Sequence, residues 1–206
     1  MTDKELYVLN RAIDGEDIYM LPTRDELPLS EINIRIIKEG LILKHILYDY
    51  NTLTAKGVSM IKKLKSYKNS KKYFSINNVT IGISDGKDYV MLLYNPLVGE
   101  YKIEYIKETN WLDDIFGFYI FINNSNNCYV ETSVALEESL FESLYKVDSR
   151  HAFTIKVNIN GEVYKYKILE YKEALYLYEY NQKLLHKRRK DNLKAMLMEK
   201  VGVLWE

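Results

Sequence analysis

The segment TLTAKGVSMIKKLKSYKNSKKYFSINN, residues 52–78, contains the clearest change from helical to strand periodicity in the chain. Thr54 is a favoured residue for the N-cap of a helix. Apolar residues then recur every three or four positions, at Val58, Ile61 and Leu64. From Lys72 onward, aromatic and β-branched residues replace this helical period. The stretch therefore predicts a helix that leads directly into a β-strand, with Asn77-Asn78 marking a turn or a bulge.

The same stretch carries seven lysines from Lys56 to Lys72 and no acidic residue. One interpretation is DNA binding, because residues 41–67 resemble the helix-turn-helix part of a winged-helix domain and residues 85–87 would then form the tip of the wing. The other is a helix whose apolar side packs on a sheet while its lysines face water. We favour the second interpretation, since sequence reading in the major groove usually relies on Arg, Asn or Gln.

Further helices are predicted on both sides of this stretch. Thr2 and Glu5 have the spacing of a capping box, Gly15 is suited to end that first helix, and Ser30 is a candidate cap for the second. Residues 133–147 and 190–203 also show helical periodicity. Residues 110–121 open as a short helix, and a buried strand is an alternative for their second half.

Strand signals fall into two groups. In the first, residues 72–84, 89–94 and 101–108 form a meander, with Asp85-Gly86 at its first tight turn. In the second, residues 152–159 and 162–171 flank Asn160-Gly161, which is the strongest hairpin signal in the chain, and residues 174–180 follow as a further strand.

The order of these elements is helices, strands, helices, strands and a final helix. Because hairpins join most of the strands, we expect an α+β fold with a mainly antiparallel sheet and helices packed on it. Each half of the chain contains helical segments followed by a β-meander, and this repetition suggests approximate internal twofold symmetry. We expect a single domain over residues 1–206, with halves of about 1–109 and 110–206.

The composition argues against two classes of protein. Lys+Arg and Asp+Glu number 29 each, and this balance argues against a dedicated nucleic-acid or membrane-surface protein. No apolar run approaches the length of a transmembrane helix, and residues 1–10 lack the apolar core of a secretory signal. A single cysteine, Cys128, excludes an internal disulfide and a cysteine metal cluster. We therefore expect a cytoplasmic protein with no membrane partner.

No known catalytic motif is present, so we predict no catalytic, cofactor-binding or metal-binding residue, and no enzyme. Three histidines lie far apart: His45, expected to be partly buried; His151; and His186, expected in a solvated basic stretch at residues 183–190. Cys128 lies in an Asn-rich loop. The acidic clusters are expected to form a solvated helix face or a helix N-terminus, and comprise Asp113-Asp114 and Glu137-Glu138 with Glu142.

Two regions are candidates for contacts with a partner protein. Leu97 and Val98 lie at the tip of a loop between two predicted strands, where apolar residues either meet a partner or fold back on the sheet. The segment of residues 196–206 is apolar and includes Leu197 and Trp205. It either docks on the body of the protein or lines a groove for a partner helix.

Residues 6–22 and 36–78 together resemble the N-terminal half of EspG-type proteins, and more closely their Firmicute relatives of the EsaE type, which serve type VII (ESX) secretion. The motifs that carry the resemblance are Leu21-Pro22, Gly40-Leu41, and Leu53-Thr54 with Gly57. The motif-level match covers about the first 95 residues, and residues beyond it carry no motif that can be mapped.

The resemblance implies a twisted, mainly antiparallel sheet flanked by helices, with approximate twofold symmetry and no catalysis. It also implies a cytoplasmic chaperone that holds a helical secretion substrate of the WXG or LXG kind, with contacts from a hairpin loop and the C-terminal helical region. Leu97, Val98, Leu197 and Trp205 are the candidates at those places. Two rival hypotheses are a winged-helix DNA-binding regulator that uses Lys56–Lys72 and an immunity-type protein that binds one toxin.

Overall fold

The computed structural model of the chain describes residues 1–23, 25–84, 89–106, 116–124, 129–146 and 149–201. The chain divides into two compact units. Unit 1 comprises residues 1–72 and 78–107, and unit 2 comprises residues 73–77 and 108–206. Helices and strands occur in both units, and the strand pairings given below are antiparallel, so the expected α+β class with a mainly antiparallel sheet is confirmed.

Unit 1 begins with three helices: α1 (Asp3–Asn10), α2 (Glu31–Leu43) and α3 (Ala55–Lys68). Each begins at a residue whose side chain accepts a hydrogen bond from a backbone N–H in the first turn. Thr2 and Glu5 form the predicted capping box, Ser30 caps α2, and Thr54 caps α3. These side chains satisfy donors that a helix N-terminus leaves unpaired, which explains why the predicted starts are confirmed.

The chain then enters β1 (Lys72–Ile76), which belongs to unit 2 from Tyr73 onward. A turn at Asn77-Asn78 follows, with φ of 50° at Asn77. Unit 1 is completed by three strands: β2 (Val79–Ile83), β3 (Tyr89–Asn95) and β4 (Glu100–Ile106). β3 pairs antiparallel with both β2 and β4, so the predicted meander is confirmed. Its first turn, at residues 85–88, lies outside the described residues.

Helix α3 packs on β2, β3 and β4 and supplies Leu64 and Tyr67, both fully buried, to the core of unit 1. The buried stripe of α3 begins at Gly57. The prediction that Val58 lies on this stripe is wrong, since its side chain is exposed. Other core residues of unit 1 are Leu6, Leu41, Ile81, Val90, Leu92 and Ile103.

The described residues of unit 2 include the helices α4 (Ile120–Asn124), α5 (Glu138–Leu144) and α6 (Lys190–Val201), a helical turn at residues 116–118 and a 3₁₀ turn at Ser149–His151. Its further strands are β5 (Thr132–Ala135), β6 (Ala152–Ile159), β7 (Glu162–Tyr171), β8 (Ala174–Glu179) and β9 (Leu184–Lys187). The spatial order is β1-β6-β7-β8-β9-β5. Consecutive pairs from β6 to β5 are antiparallel, and the hairpin predicted at Asn160-Gly161 joins β6 to β7.

Two predictions for unit 2 are wrong. Residues 133–147 do not form one helix, because Thr132–Ala135 pair with β9 and the helix begins only at Glu138. The apolar residues at 134 and 136 fit a strand period as well as a helical one, and pairing with β9 decides between them. The prediction of a helix within residues 110–121 agrees with the described residues, which are helical at 116–118 and from 120 onward, and the alternative of a buried strand does not apply to them. Residues 184–187, expected to be a solvated turn or helix start, form β9.

The core of unit 2 includes a cluster of Phe141, Leu169, Tyr178 and Leu185 on one side of the sheet. The rings of Phe141 and Tyr178 stack with centroids 3.9 Å apart. Because side chains alternate across a strand, Leu177 and His186 point to the opposite side of β8 and β9. Helix α6 packs against β8 and contributes the buried Leu193 and Leu197.

Candidate partner-binding surface

Helix α2 carries apolar residues on two opposite sides. Leu41 is fully buried, and Ile34 and Ile37 are partly buried on the same side of the helix. On the other side, Ile32, Ile36 and Leu43 are 72%, 59% and 81% exposed. At 3.6 residues per turn, the spacing of these three positions places them within about 40° of one another around the helix axis. They therefore form an exposed apolar stripe, which Glu39 interrupts between Ile36 and Leu43, since it lies only about 20° from Ile32 around the axis.

Polar groups lie along one edge of this stripe. Arg35 Nε is 3.6 Å from Glu39 Oε1, and Tyr50 donates a hydrogen bond of 2.7 Å to the same carboxylate. The guanidinium of Arg35 also lies 5.8 Å from the centroid of the Tyr50 ring. An apolar centre with a charged and aromatic edge is the usual composition of a protein–protein interface.

The turn between β3 and β4 presents two more apolar side chains. Leu97 is 93% exposed and Val98 is 63% exposed, so neither folds back on the sheet. The turn has a fixed shape, because the Asn95 side chain accepts a hydrogen bond of 3.1 Å from the Leu97 N–H and Gly99 has φ of +65°. This conformation favours glycine, since it imposes a steric penalty on residues with a Cβ.

A cluster of charges fixes the end of α2 beside this turn. Lys44, the first residue after α2, donates to Glu5 Oε2 at 2.9 Å and to Glu100 Oε1 at 3.0 Å. Glu100 follows the turn directly. The hydrogen bond from Lys44 and the charge of the N-terminal amine lower the pKa of Glu100. We refer to Ile32, Ile36, Leu43, Leu97 and Val98 together as the α2–turn surface.

Of the site residues predicted from the sequence, the structure brings Leu97 and Val98 to an exposed position. Leu197 is fully buried in α6, so its observed role is core packing and it offers no surface to a partner. Trp205 lies outside the described residues. Sequence reasoning missed the outer stripe of α2. The signal was present in EINIRIIKEGLIL, which has apolar residues on two opposite sides and so carries more of them than one buried face requires.

Two residues of the lysine-rich stretch hold unit 1 together. Lys56 donates a hydrogen bond of 2.9 Å to the carbonyl of Lys44. Lys68 pairs with Asp14 and Glu16, and its side chain is largely buried. The hydrogen bond from Lys68 lowers the pKa of Asp14. Residues 85–87, the tip of the wing in the DNA-binding hypothesis, lie outside the described residues.

Two expectations about the histidines are wrong. His45 is exposed, and its φ of 57° shows that it turns the chain after α2. His186 is buried in β9, with Nε2 2.6 Å from Glu179 Oε1. Its basic neighbours suggested a solvated stretch, but pairing with β5 and β8 turns His186 inward.

Other residues with candidate chemistry make ordinary contacts or lie outside the described part of the chain. Glu142 accepts hydrogen bonds from Lys167 at 3.0 Å and from Tyr180 at 2.5 Å. Cys128 and Asp113-Asp114 are outside the described residues. In the ranges that the structure describes, no group of three or more His, Cys, Asp or Glu residues is arranged to hold a metal ion. Within the same ranges, no helix combines the length and the apolar character needed to cross a membrane.

Comparison with known proteins places the chain in a family. Residues 1–197 match the family model described as a domain of unknown function, DUF5081. Because the match covers nearly the whole chain, the chain belongs to this family. A search of curated proteins finds no match.

Proposed function

We propose that this member of the DUF5081 family is a cytoplasmic chaperone or adaptor that holds a helical substrate of a type VII secretion system, of the WXG or LXG kind, before export. This role requires no catalysis by the chain itself. The observation that carries the proposal is the outer face of α2, where three large apolar side chains form an exposed stripe. The EspG-like fold and its approximate twofold symmetry belong to the same proposal, since they rest on the resemblance of residues 6–22 and 36–78 to that group.

The shape of the stripe fits a helical partner. Ile32 and Leu43 are 11 positions apart, which corresponds to about 16 Å at a rise of 1.5 Å per residue, or three turns of helix. A partner helix with apolar residues at intervals of three and four positions can lie along such a stripe. Leu97 and Val98 would then contact one end of that helix, because Lys44 and Glu100 fix their turn beside the end of α2.

The expected energies suit a complex that must later release its substrate. Covering the exposed part of each of these apolar side chains contributes about 1–2 kcal/mol, from about 1.5–3 kcal/mol for complete burial. The five residues together therefore contribute about 5–10 kcal/mol. Association costs of about 4–15 kcal/mol oppose this gain, so these five residues alone leave at most about 6 kcal/mol, which corresponds to a Kd of tens of micromolar or weaker.

The first experiment is capture of the tagged chain with its partners from the host cytoplasm, with nuclease treatment, followed by mass spectrometry. We expect a helical WXG- or LXG-like protein in near-stoichiometric amount. Recovery of DNA without a protein partner would instead support the winged-helix hypothesis. Recovery of a toxin unrelated to secretion would support the immunity hypothesis.

Variants then test the surface with the purified partner. Ile36→Asp and Leu97→Asp each place a charge on the α2–turn surface, and we expect at least about tenfold weaker binding from each, since burial of an unpaired charge is costly. Leu144→Asp is the matched control, because Leu144 is also an exposed leucine on a helix but belongs to α5 in unit 2. Unchanged affinity in both surface variants would exclude this surface as the binding site.

A further inference from the structure

Three polar side chains in unit 2 converge across three neighbouring strands. Ser133 of β5 lies directly opposite His186 of β9, and His186 lies opposite Leu177 of β8. Glu179 is two residues beyond Leu177, so it shares a face of β8 with Leu177 and is a diagonal neighbour of His186. The strand register therefore brings a hydroxyl, an imidazole and a carboxylate into one line.

The distances in this line are those of hydrogen bonds. Ser133 Oγ is 2.9 Å from His186 Nδ1, and His186 Nε2 is 2.6 Å from Glu179 Oε1. His186 and Glu179 are both more than nine-tenths buried, whereas Ser133 is exposed. A buried imidazole and carboxylate thus support a hydroxyl that solvent and small molecules can reach.

Arg188 determines how the protons are arranged. Its Nη2 lies 2.7 Å from Ser133 Oγ and 3.4 Å from His186 Nδ1. A guanidinium only donates hydrogen bonds, so the Nδ1 that faces it is the unprotonated nitrogen of a neutral ring. The Nε2–H then donates to Glu179, and Nδ1 accepts the hydroxyl proton of Ser133. This is the arrangement that an activated serine requires: a base in contact with the hydroxyl and a carboxylate that orients the base.

Ser133 opens onto a groove of about 610 Å³. The groove is lined by Ser133, Arg188, Glu131, Asn192, Met196 and Glu199. Two hydrogen bonds fix the wall that α6 contributes, because Glu131 Oε1 accepts from the Arg189 N–H at 2.7 Å and from Asn192 Nδ2 at 2.9 Å. The lining holds two carboxylates, Glu131 and Glu199, against one cation, Arg188, so it offers no net attraction to an anionic ligand, and Met196 with Ala195 provides apolar contact. The groove therefore suits a small neutral molecule.

We propose that Ser133 is a nucleophilic serine that cleaves small neutral carboxylic esters, with His186 as its base and Arg188 as the stabiliser of the developing negative charge. Glu179 acts as a positioning residue through His186. This activity belongs to unit 2 and does not rest on the proposed function, which uses a surface of unit 1.

The reaction proceeds in two steps, acylation of Ser133 and hydrolysis of the acyl-serine. Ser133 Oγ forms a bond to the acyl carbon while its proton passes to His186 Nδ1. The carbonyl oxygen becomes an anion within reach of Arg188, because it is bonded to the same carbon as Oγ. The ester C–O bond then breaks and the alcohol leaves with the proton from His186. Water, deprotonated by His186, then forms a bond to the acyl carbon. The bond from this carbon to Ser133 Oγ breaks, His186 returns the proton to Oγ, and the carboxylic acid leaves.

The test uses the full chain with a fluorophosphonate probe, which transfers its phosphonyl group to a nucleophilic serine with loss of fluoride, and with p-nitrophenyl acetate as substrate. We expect labelling of Ser133, identified by mass spectrometry of the peptide, and ester hydrolysis, both abolished in Ser133→Ala. Ser143→Ala is the matched control, because Ser143 is also exposed but lies on α5 and binds the Leu140 carbonyl. The proposal would be overturned if the probe labelled the native chain no faster than the Ser133→Ala variant. It would also be overturned if the label were spread equally over other serines.

A second measurement separates catalysis from a merely structural network. Glu179→Gln should reduce the labelling rate by about 10²-fold or more, as expected when a general base loses its orientation. Nitrogen-15 NMR of the native His186 ring should show the proton on Nε2. A proton on Nδ1 would overturn the assigned base, whatever the stability of the variants.

Discussion

Substitution of Gly57 by alanine tests whether the motif Leu53-Thr54 with Gly57 requires a residue without a side chain at position 57. An alanine in a helix is normally about 1 kcal/mol more favourable than a glycine, so propensity alone predicts stabilisation. In this structure, however, a Cβ at Gly57 would overlap the carbonyl oxygen of Ile46 and lie 2.9 Å from Leu53 Cδ2. The contact with Ile46 is to backbone, which cannot rotate away.

The displacement would also disturb the start of α3. The Ile46 carbonyl accepts hydrogen bonds from the Thr54 N–H at 3.1 Å and from its hydroxyl at 3.1 Å, and Thr54 in turn caps Gly57. Overpacking of this kind costs about 1–3 kcal/mol, and a lost N-cap costs about 1 kcal/mol more. These costs exceed the gain in propensity, so we expect Gly57→Ala to destabilise the fold by about 1–3 kcal/mol.

Scanning calorimetry or urea unfolding measures this difference. For a chain of this size, a loss of about 1–3 kcal/mol lowers the midpoint by roughly 2–12 °C. Gly40→Ala is the matched control, because Gly40 also lies within a helix but its Cβ would meet only Glu5 Oε1, at 3.7 Å. We expect that control to be as stable as the native chain or more so. A Gly57→Ala chain at least as stable as the native chain would refute the steric explanation.

Three further predictions concern stability. Phe141→Ala should lower the free energy of unfolding by about 3–5 kcal/mol, because Phe141 is fully buried. Leu144→Ala, at an exposed site on the same helix, should change it by less than about 0.5 kcal/mol. Equal losses of stability in urea titrations would contradict the assigned core. The folded pKa of Glu100 lies below its ordinary value of 4.5, so its contribution to stability is present above that value and is lost as the pH falls below it. Acid titrations should therefore show a smaller loss of stability in Glu100→Gln, and an unchanged acid profile would argue against the Lys44–Glu100 pair. Thr2→Ala should lower the free energy of unfolding by about 1 kcal/mol through loss of the capping box, and an unaffected denaturant midpoint would show that α1 does not depend on its cap.

The surface proposed for partner binding was only half predictable. Leu97 and Val98 could be identified from the sequence, because two strand signals left apolar residues at the loop between them. The outer stripe of α2 could not be assigned in the same way. Periodicity places Ile34, Ile37 and Leu41 on one side of this helix, and that side is the buried one. Periodicity does not show whether the opposite side, which carries Ile36, meets a partner.

The hydrogen-bonded group of Ser133, His186 and Glu179 could not be predicted from the sequence for a different reason. These residues are separated by up to 53 positions, and only the register of three strands brings them together. Ser133 was expected within a helix and His186 in a solvated segment, since a strand of four residues flanked by charges carries a weak local signal.

The sequence by itself determined the elements whose signals are local. Thr2, Ser30 and Thr54 start their helices through hydrogen bonds within one turn, and Asn160-Gly161 closes a hairpin between adjacent runs. The tertiary structure alone decided what depends on partners distant in the chain. Strand pairing decided that the ambiguous segments at β5 and β9 form strands, and packing on β2, β3 and β4 decided that Val58 lies outside the buried side of α3. Local propensities are worth only tenths of a kcal/mol per residue, whereas each buried side chain contributes about 1.5–3 kcal/mol, so packing prevails wherever the two disagree.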